Sequence, residues 1–267
     1  VHTSILTAII GGIILIFAGV LLAKPLLELM GTPEDVIDLS VLYMRIYFVG
    51  MPAFMLYNFG AAILRAIGDT KRPLYFLTLS GVVNVVLNLF FVIVFKMGVA
   101  GVALATIISQ AISAVLIVLC LIKMEGPCHL DLKHLQFHGK TLAAMLRIGL
   151  PAGLQGAVFS ISNVLIQSSV NSFGSLVMAG NTAASNIEGF VYTAMNAVYQ
   201  TSLSFTSQNM GAKQFKRVDK ILMECLLVVA VVGLVLGNGA YFLGNQLLGI
   251  YSSDPQVIQY GLIRLSF

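Results

Sequence analysis

The sequence predicts an all-α fold, a polytopic bundle of transmembrane helices, and three observations carry that prediction. The first is composition. The chain is 58% hydrophobic and only 10% charged, with a mean hydropathy of +0.94, whereas a soluble domain carries about 25% charged residues. The second is run length: apolar stretches recur near the ~20 residues that cross a hydrocarbon core as a helix. The third is continuity, because barrel strands would alternate over about ten residues and these runs do not alternate. The net charge of +4 is small and scattered. It excludes a nucleic-acid surface and reads instead as membrane topology.

Taken in order, the spans are as follows. Thr3–Ala23 carries no charge. Ile37–Ile67 is longer and is interrupted by Arg45 and Pro52. Leu74–Phe95 and Val99–Ile122 are clean, and Leu142–Phe173 and Leu176–Phe205 are long and salted with polar residues. Ile221–Phe242 is clean after Glu224, and Val257–Phe267 begins an eighth. Pro52 and Pro151 fall inside spans, where each removes a backbone hydrogen bond and favours a kink.

The basic residues orient these spans. The segments after spans two, four and six hold Arg65, Lys71, Arg72, Lys123, Lys133, Lys140, Arg147, Lys213, Lys216, Arg217 and Lys220, while the other loops hold Lys24 and Lys96. The basic side faces the cytoplasm. Thr70, Lys133 and Lys213 are therefore expected inside, and Thr32, Met97 and Asp254 outside. The stretch LRAIGDTKRP, Leu64 to Pro73, becomes a cytoplasmic turn. Gly68 ends one helix, Asp69 and Thr70 cap the next, and Pro73 fits its first turn. Arg65 and Asp69, four apart, are expected to pair at the rim and hold an inner gate. The competing reading is a charged hairpin that only sets topology.

An internal repeat is also legible. KPLLELMGTPEDVIDLS at 24–40 aligns without gaps on NQLLGIYSSDPQVIQYG at 245–261, at a constant offset of 221. Two like-oriented copies suit a transporter built from two similar halves. On that arithmetic the whole bundle has about twelve helices, of which this chain holds about eight, with roughly two more on each side. The expected organisation is part of an N-terminal lobe over 1–123, a cytoplasmic inter-lobe loop over 124–141, and part of a C-terminal lobe over 142–267.

GTPEDVIDLSVLYMRIYFVGMP, LRAIGDTKRP and NVVLNLFFVIVFKMGVAGVALATIISQ, in that order, resemble the third to sixth helices of a multidrug and toxic compound extrusion (MATE) transporter. LRIGLPAGLQGAVF resembles the start of that family's seventh helix, and SQNMGAKQFKRV the turn after its eighth. The resemblance spans essentially the whole chain. It implies a twelve-helix, two-lobe antiporter of the plasma membrane, of bacterial inner-membrane type, working as a monomer among membrane lipids. Such a protein exports amphipathic organic cations in exchange for protons or sodium by alternating access. Relatives of one branch carry a glutamate shortly after the seventh-helix proline; PAGLQGAVFSISN has none here.

The residues themselves point to a polar interior. Asn181, Ser185, Glu188, Tyr192, Met195 and Tyr199 recur at three- and four-residue steps, which puts them on one helical face. Ser160, Asn163, Gln167 and Asn171 do the same one helix earlier, and Asn84 and Asn88 share a face in the first lobe. Amides cannot face lipid cheaply, so they bond other helices or line a wet cavity. Glu188 is the acid well inside a span with polar neighbours on its own face. It must be protonated, paired or bound to a cation. Its expected partners are Asn163, Gln167, Asn181 and Tyr192, and with Tyr199 these form the candidate coupling and substrate cavity. The alternative is a packing acid with no role in transport.

Cys128, His129, His134 and His138 share one loop and read as a polar loop rather than a zinc site. Neither a phosphate loop nor a nucleophile–base pair is present, which points away from ATP hydrolysis and from an enzyme. No cofactor is expected beyond the coupling ion. Two other functions stay open: a flippase for a lipid-linked precursor, and a membrane scaffold without transport.

Overall fold

The computed structural model describes residues 1–29, 34–126, 128–171 and 173–266. Thr32, with the rest of 30–33, and Phe267 lie outside the described residues, as does the side chain of Asn171. The helices are α1 (His2–Leu29), α2 (Glu34–Val49), α3 (Met51–Ala66), α4 (Lys71–Leu89), α5 (Gly98–Lys123), α6 (Gly139–Asn171), α7 (Ser175–Gly211), α8 (Phe215–Phe242), α9 (Gly244–Tyr251) and α10 (Pro255–Leu265). A π-helical turn, Phe90–Val94, prolongs α4, and a 3₁₀ turn covers Leu132–His134. The described residues contain no strand.

Every predicted span finds a helix. By length and apolarity five helices qualify as membrane spans, namely α1, α4 with its π turn, α5, α6 and α8. The pair α2 and α3 makes a sixth if it is one span, bent by 47°. The bend lies where the sequence places Pro52, but it is a break rather than a kink. Gly50 ends α2 against Ile107, whose Cγ1 would lie 2.8 Å from an added Cβ. Pro52 then falls in the first turn of α3, where its missing N–H costs nothing. Pro151 sits inside an unbroken α6. The short α9 was not expected from the sequence.

The chain divides into two compact units, Val1–Arg147 and Ile148–Phe267. In the first, Ile5 of α1, Tyr57, Ala61 and Leu64 of α3, and Ile117 and Leu121 of α5 form the core. Small residues let these helices close up: a Cβ on Gly19 would fall within 1.9 Å of the Phe48 ring. Leu130, from the loop after α5, completes this core at 1% exposure. Its N–H bonds the Leu121 carbonyl at 3.0 Å. The loop is also tied to the start of α1. Asp131 N–H donates to His2 Nε2 at 3.1 Å, and His138 N–H donates to Thr3 Oγ1 at 3.1 Å.

The second unit packs α10 and α9 on α7 through Ala183, Ala184, Ile187 and Leu248. Here too the approach is set by glycine. A Cβ on Gly180 of α7 would lie 2.6 Å from the Val257 carbonyl oxygen of α10. The repeat read from the sequence runs into α2 in the first unit and α10 in the second. At the start of α10 Asp254 accepts from Gln256 N–H at 2.9 Å, an N-cap.

Candidate functional site

The α7–α10 crossing carries a polar chain inside the second unit. Asn181 and Glu188 lie two turns apart on α7 and face α10. The close contact at Gly180 brings α10 near enough for Arg264, close to its end, to reach both. Arg264 Nε donates to Glu188 Oε1 at 2.9 Å and Nη2 donates to Oε2 at 2.8 Å. This is the two-pronged geometry that favours arginine over lysine. Arg264 Nη1 donates to Asn181 Oδ1, and Asn181 Nδ2 donates to Gln167 Oε1 on α6 at 3.1 Å. One chain of hydrogen bonds thus joins α6, α7 and α10.

Burial is graded along it. Asn181 is 8% exposed, while the side chains of Arg264 and Glu188 are 32% and 43% exposed. The amide end is fixed in the packing and the carboxylate end opens outward.

Of the expected site residues the structure brings Glu188, Asn181 and Gln167 together. The expected partners Asn163 and Tyr192 do not join them. Asn163 is exposed one turn before Gln167. Tyr192 and Tyr199 are 62% and 61% exposed, on the open stretch of α7. Arg264 is the member that the expected set lacked. The usable signal was charge matching: Arg264 and Glu188 are opposite charges on two helices of one unit, and such charges seek each other.

The expected Arg65–Asp69 pair is corrected by the turn itself. Gly68, at φ +88°, ends α3 in a Schellman turn, with Asp69 N–H bonded to the Leu64 carbonyl and Gly68 N–H to the Arg65 carbonyl, each at 3.0 Å. The helical four-residue step therefore does not continue to Asp69. Its carboxylate turns to the next helix, taking Arg72 Nε at 3.2 Å and Arg72 N–H at 3.2 Å.

The first unit holds a second polar ladder, between α4 and α5. Ser80 Oγ donates to the Ser109 carbonyl at 2.5 Å. Asn84 Nδ2 donates to Ser109 Oγ at 3.3 Å, and Asn88 Nδ2 donates to Asn84 Oδ1 at 3.0 Å. The shared face of Asn84 and Asn88 follows from their four-residue spacing. Asn88 Oδ1 and Gln110 Oε1 are buried oxygens without a hydrogen-bond donor among the described residues.

The family model MatE matches residues 1–90 and 151–267. The chain is 33% identical over 244 residues to the probable multidrug resistance protein YpnP of Bacillus subtilis, covering 91% of this chain and 54% of that protein. It is 28% identical over 265 residues to the probable multidrug resistance protein YoeA of the same organism, covering 97% of this chain and 57% of that one. A solved outward-facing multidrug resistance MATE family transporter of the MOP superfamily superposes with a TM-score of 0.88 at 21% identity. It shares 98% of this chain and 59% of its own, a likeness of fold. The chain therefore spans a little over half the length of the relatives it matches. With helices, turns and family model in agreement, this chain is an integral plasma-membrane protein and belongs to the MATE family of transporters.

Proposed function

We propose that the full-length protein is a secondary active exporter of amphipathic organic cations, working as a monomer and exchanging its substrate for protons or sodium by alternating access. One observation carries the reading: the intramembrane carboxylate Glu188 is held by a guanidinium instead of standing bare. A proton or a cation that arrives at Glu188 competes with Arg264 for the same two oxygens. Loading the carboxylate and loosening α10 from α7 are then a single event, which is the coupling that an antiporter needs. Tyr192 and Tyr199, exposed one and three turns further along α7, offer ring faces to an organic cation.

A phosphate-bearing lipid precursor would need an open cationic cavity. Arg264 speaks against that cargo, because its donors are already engaged by Glu188 and Asn181. The test uses the full-length protein in vesicles, with an imposed proton or sodium gradient and a cationic dye. Glu188→Gln keeps the shape and cannot lose a proton. It is expected to abolish gradient-driven export while insertion and folding persist. Wild-type rate with unchanged pH dependence would refute the assignment and move coupling to other helices.

A further inference from the structure

Between α7 and α8 a cleft of about 620 Å³ opens at the end that the basic residues assign to the cytoplasm. Its rim is polar. Gln208 and Asn209 come from the end of α7, Gln214 from the turn, and Arg217 and Lys220 from the first turns of α8. Its floor is apolar, made by Phe205 and Ile221. There it runs into a trough of about 510 Å³ along the same two helices, past Val198, Cys225 and Val228. The two compartments share Phe205, Ile221 and Glu224. A polar head compartment at the membrane surface thus continues into an apolar tail compartment that points into the bilayer.

Charge decides what the head compartment takes. Lys213, Lys216, Arg217 and Lys220 lie within eight residues, with Asp219 the one acid among them. Glu224, on the rim, is already paired with Lys220 at 3.7 Å. An organic cation meets net repulsion here, and an anion meets a guanidinium suited to phosphate oxygens. The cytoplasmic leaflet is where anionic headgroups and basic juxtamembrane residues meet. We propose that this groove is a binding site for an anionic phospholipid of the cytoplasmic leaflet. Its headgroup phosphate lies against Arg217 and takes Lys220 from its exposed pair with Glu224, and one acyl chain lies along Val198, Cys225 and Val228. The site is separate from the Glu188–Arg264 pair and does not depend on the transport reading.

The test uses the full-length protein in phosphatidylcholine nanodiscs doped with phosphatidylglycerol, with retained lipid read by native mass spectrometry. Wild type retains phosphatidylglycerol in preference to phosphatidylcholine. Arg217→Gln with Lys220→Gln lowers that retention about tenfold or more, with the unfolding temperature unchanged because both side chains are exposed. Val228→Trp fills the tail trough without touching charge and lowers retention as well. Lys123→Gln with Lys140→Gln, basic residues on the same side of the membrane, leaves it intact. Equal retention of both lipids, or equal loss in the two double variants, overturns the proposal. So does displacement of the lipid by inorganic phosphate, which marks a site for free anions instead.

Discussion

Arg264 and Glu188 meet fork to fork across the α7–α10 crossing, at 2.9 and 2.8 Å, although 76 residues separate them in the chain. A pair this well oriented should show itself energetically. Arg264→Gln alone leaves a carboxylate without its cation, and Glu188→Gln alone leaves a guanidinium without its anion. The double change leaves two neutral groups. Thermal unfolding of the four proteins in detergent should give a coupling of about 1–3 kcal/mol, with the double variant more stable than the Arg264→Gln single. Additive losses would mean that the two side chains do not act as a pair.

Gly180 sets the distance over which that pair forms. A methyl group there meets the Val257 carbonyl oxygen at 2.6 Å, and backbone cannot swing aside as a side-chain tip can. Gly180→Ala should therefore cost about 1–3 kcal/mol, the usual range for overpacking. It should also weaken the Arg264–Glu188 coupling, as a repeat of the double-mutant cycle in the Gly180→Ala background would report. Gly189, with open space beside it, should accept alanine without loss.

What the sequence discloses here follows from the range of each signal. Hydrophobic runs report local structure, so each of the eight expected runs falls on helix, down to the turn that Gly68 makes, although α7 and α10 are not among the helices long and apolar enough to count as spans. The 47° break at Gly50 was legible only as a proline, because the close approach of Ile107 to Gly50 comes from another helix. The site divides the same way. Glu188, Asn181 and Gln167 stand out by periodicity within their own helices. Arg264 comes from a helix reached only through packing, and one helix's period says nothing of the other's. Tyr192 and Tyr199 share the face of Glu188 by period, yet both side chains are exposed.

The two turns at Gly68 and Lys213 share one hydrogen-bond pattern. Gln214 N–H bonds the Asn209 carbonyl at 2.9 Å and Lys213 N–H bonds the Met210 carbonyl at 3.1 Å, as Asp69 and Gly68 do in the first turn. Lys213 holds φ at +57° with a full side chain. Lys213→Gly should then stabilise by about 1 kcal/mol, and Gly68→Ala should destabilise by about as much. Unfolding temperatures of the two variants should move in opposite directions.

The loop after α5 carries an acid-sensitive contact. The His134 ring at 2.5 Å, then the Lys133 backbone N–H, hold the Asp131 carboxyl below its ordinary value of 3.8. A carboxyl depressed by folding adds stability that is in force above 3.8 and is lost as pH falls through the lower native value. The Asp131 side chain is 37% exposed and its contacts are with its own loop, so the effect is confined there. A carbon-detected carboxyl titration should find Asp131 below the ordinary range, and His134→Ala should bring it back up. An Asp131 that titrates normally in both proteins would deny the contact in solution.

Leu130 belongs to a cluster whose other buried members lie between Ile5 and Leu121, and its loop is fastened to His2 and Thr3. All of them precede Gly139, where α6 begins. A ribosome that has just released this loop has therefore made every residue of that cluster, while the helices of the second unit are still unsynthesised. The order of translation lets the first core close behind its own stopper before the next one competes for the same apolar side chains.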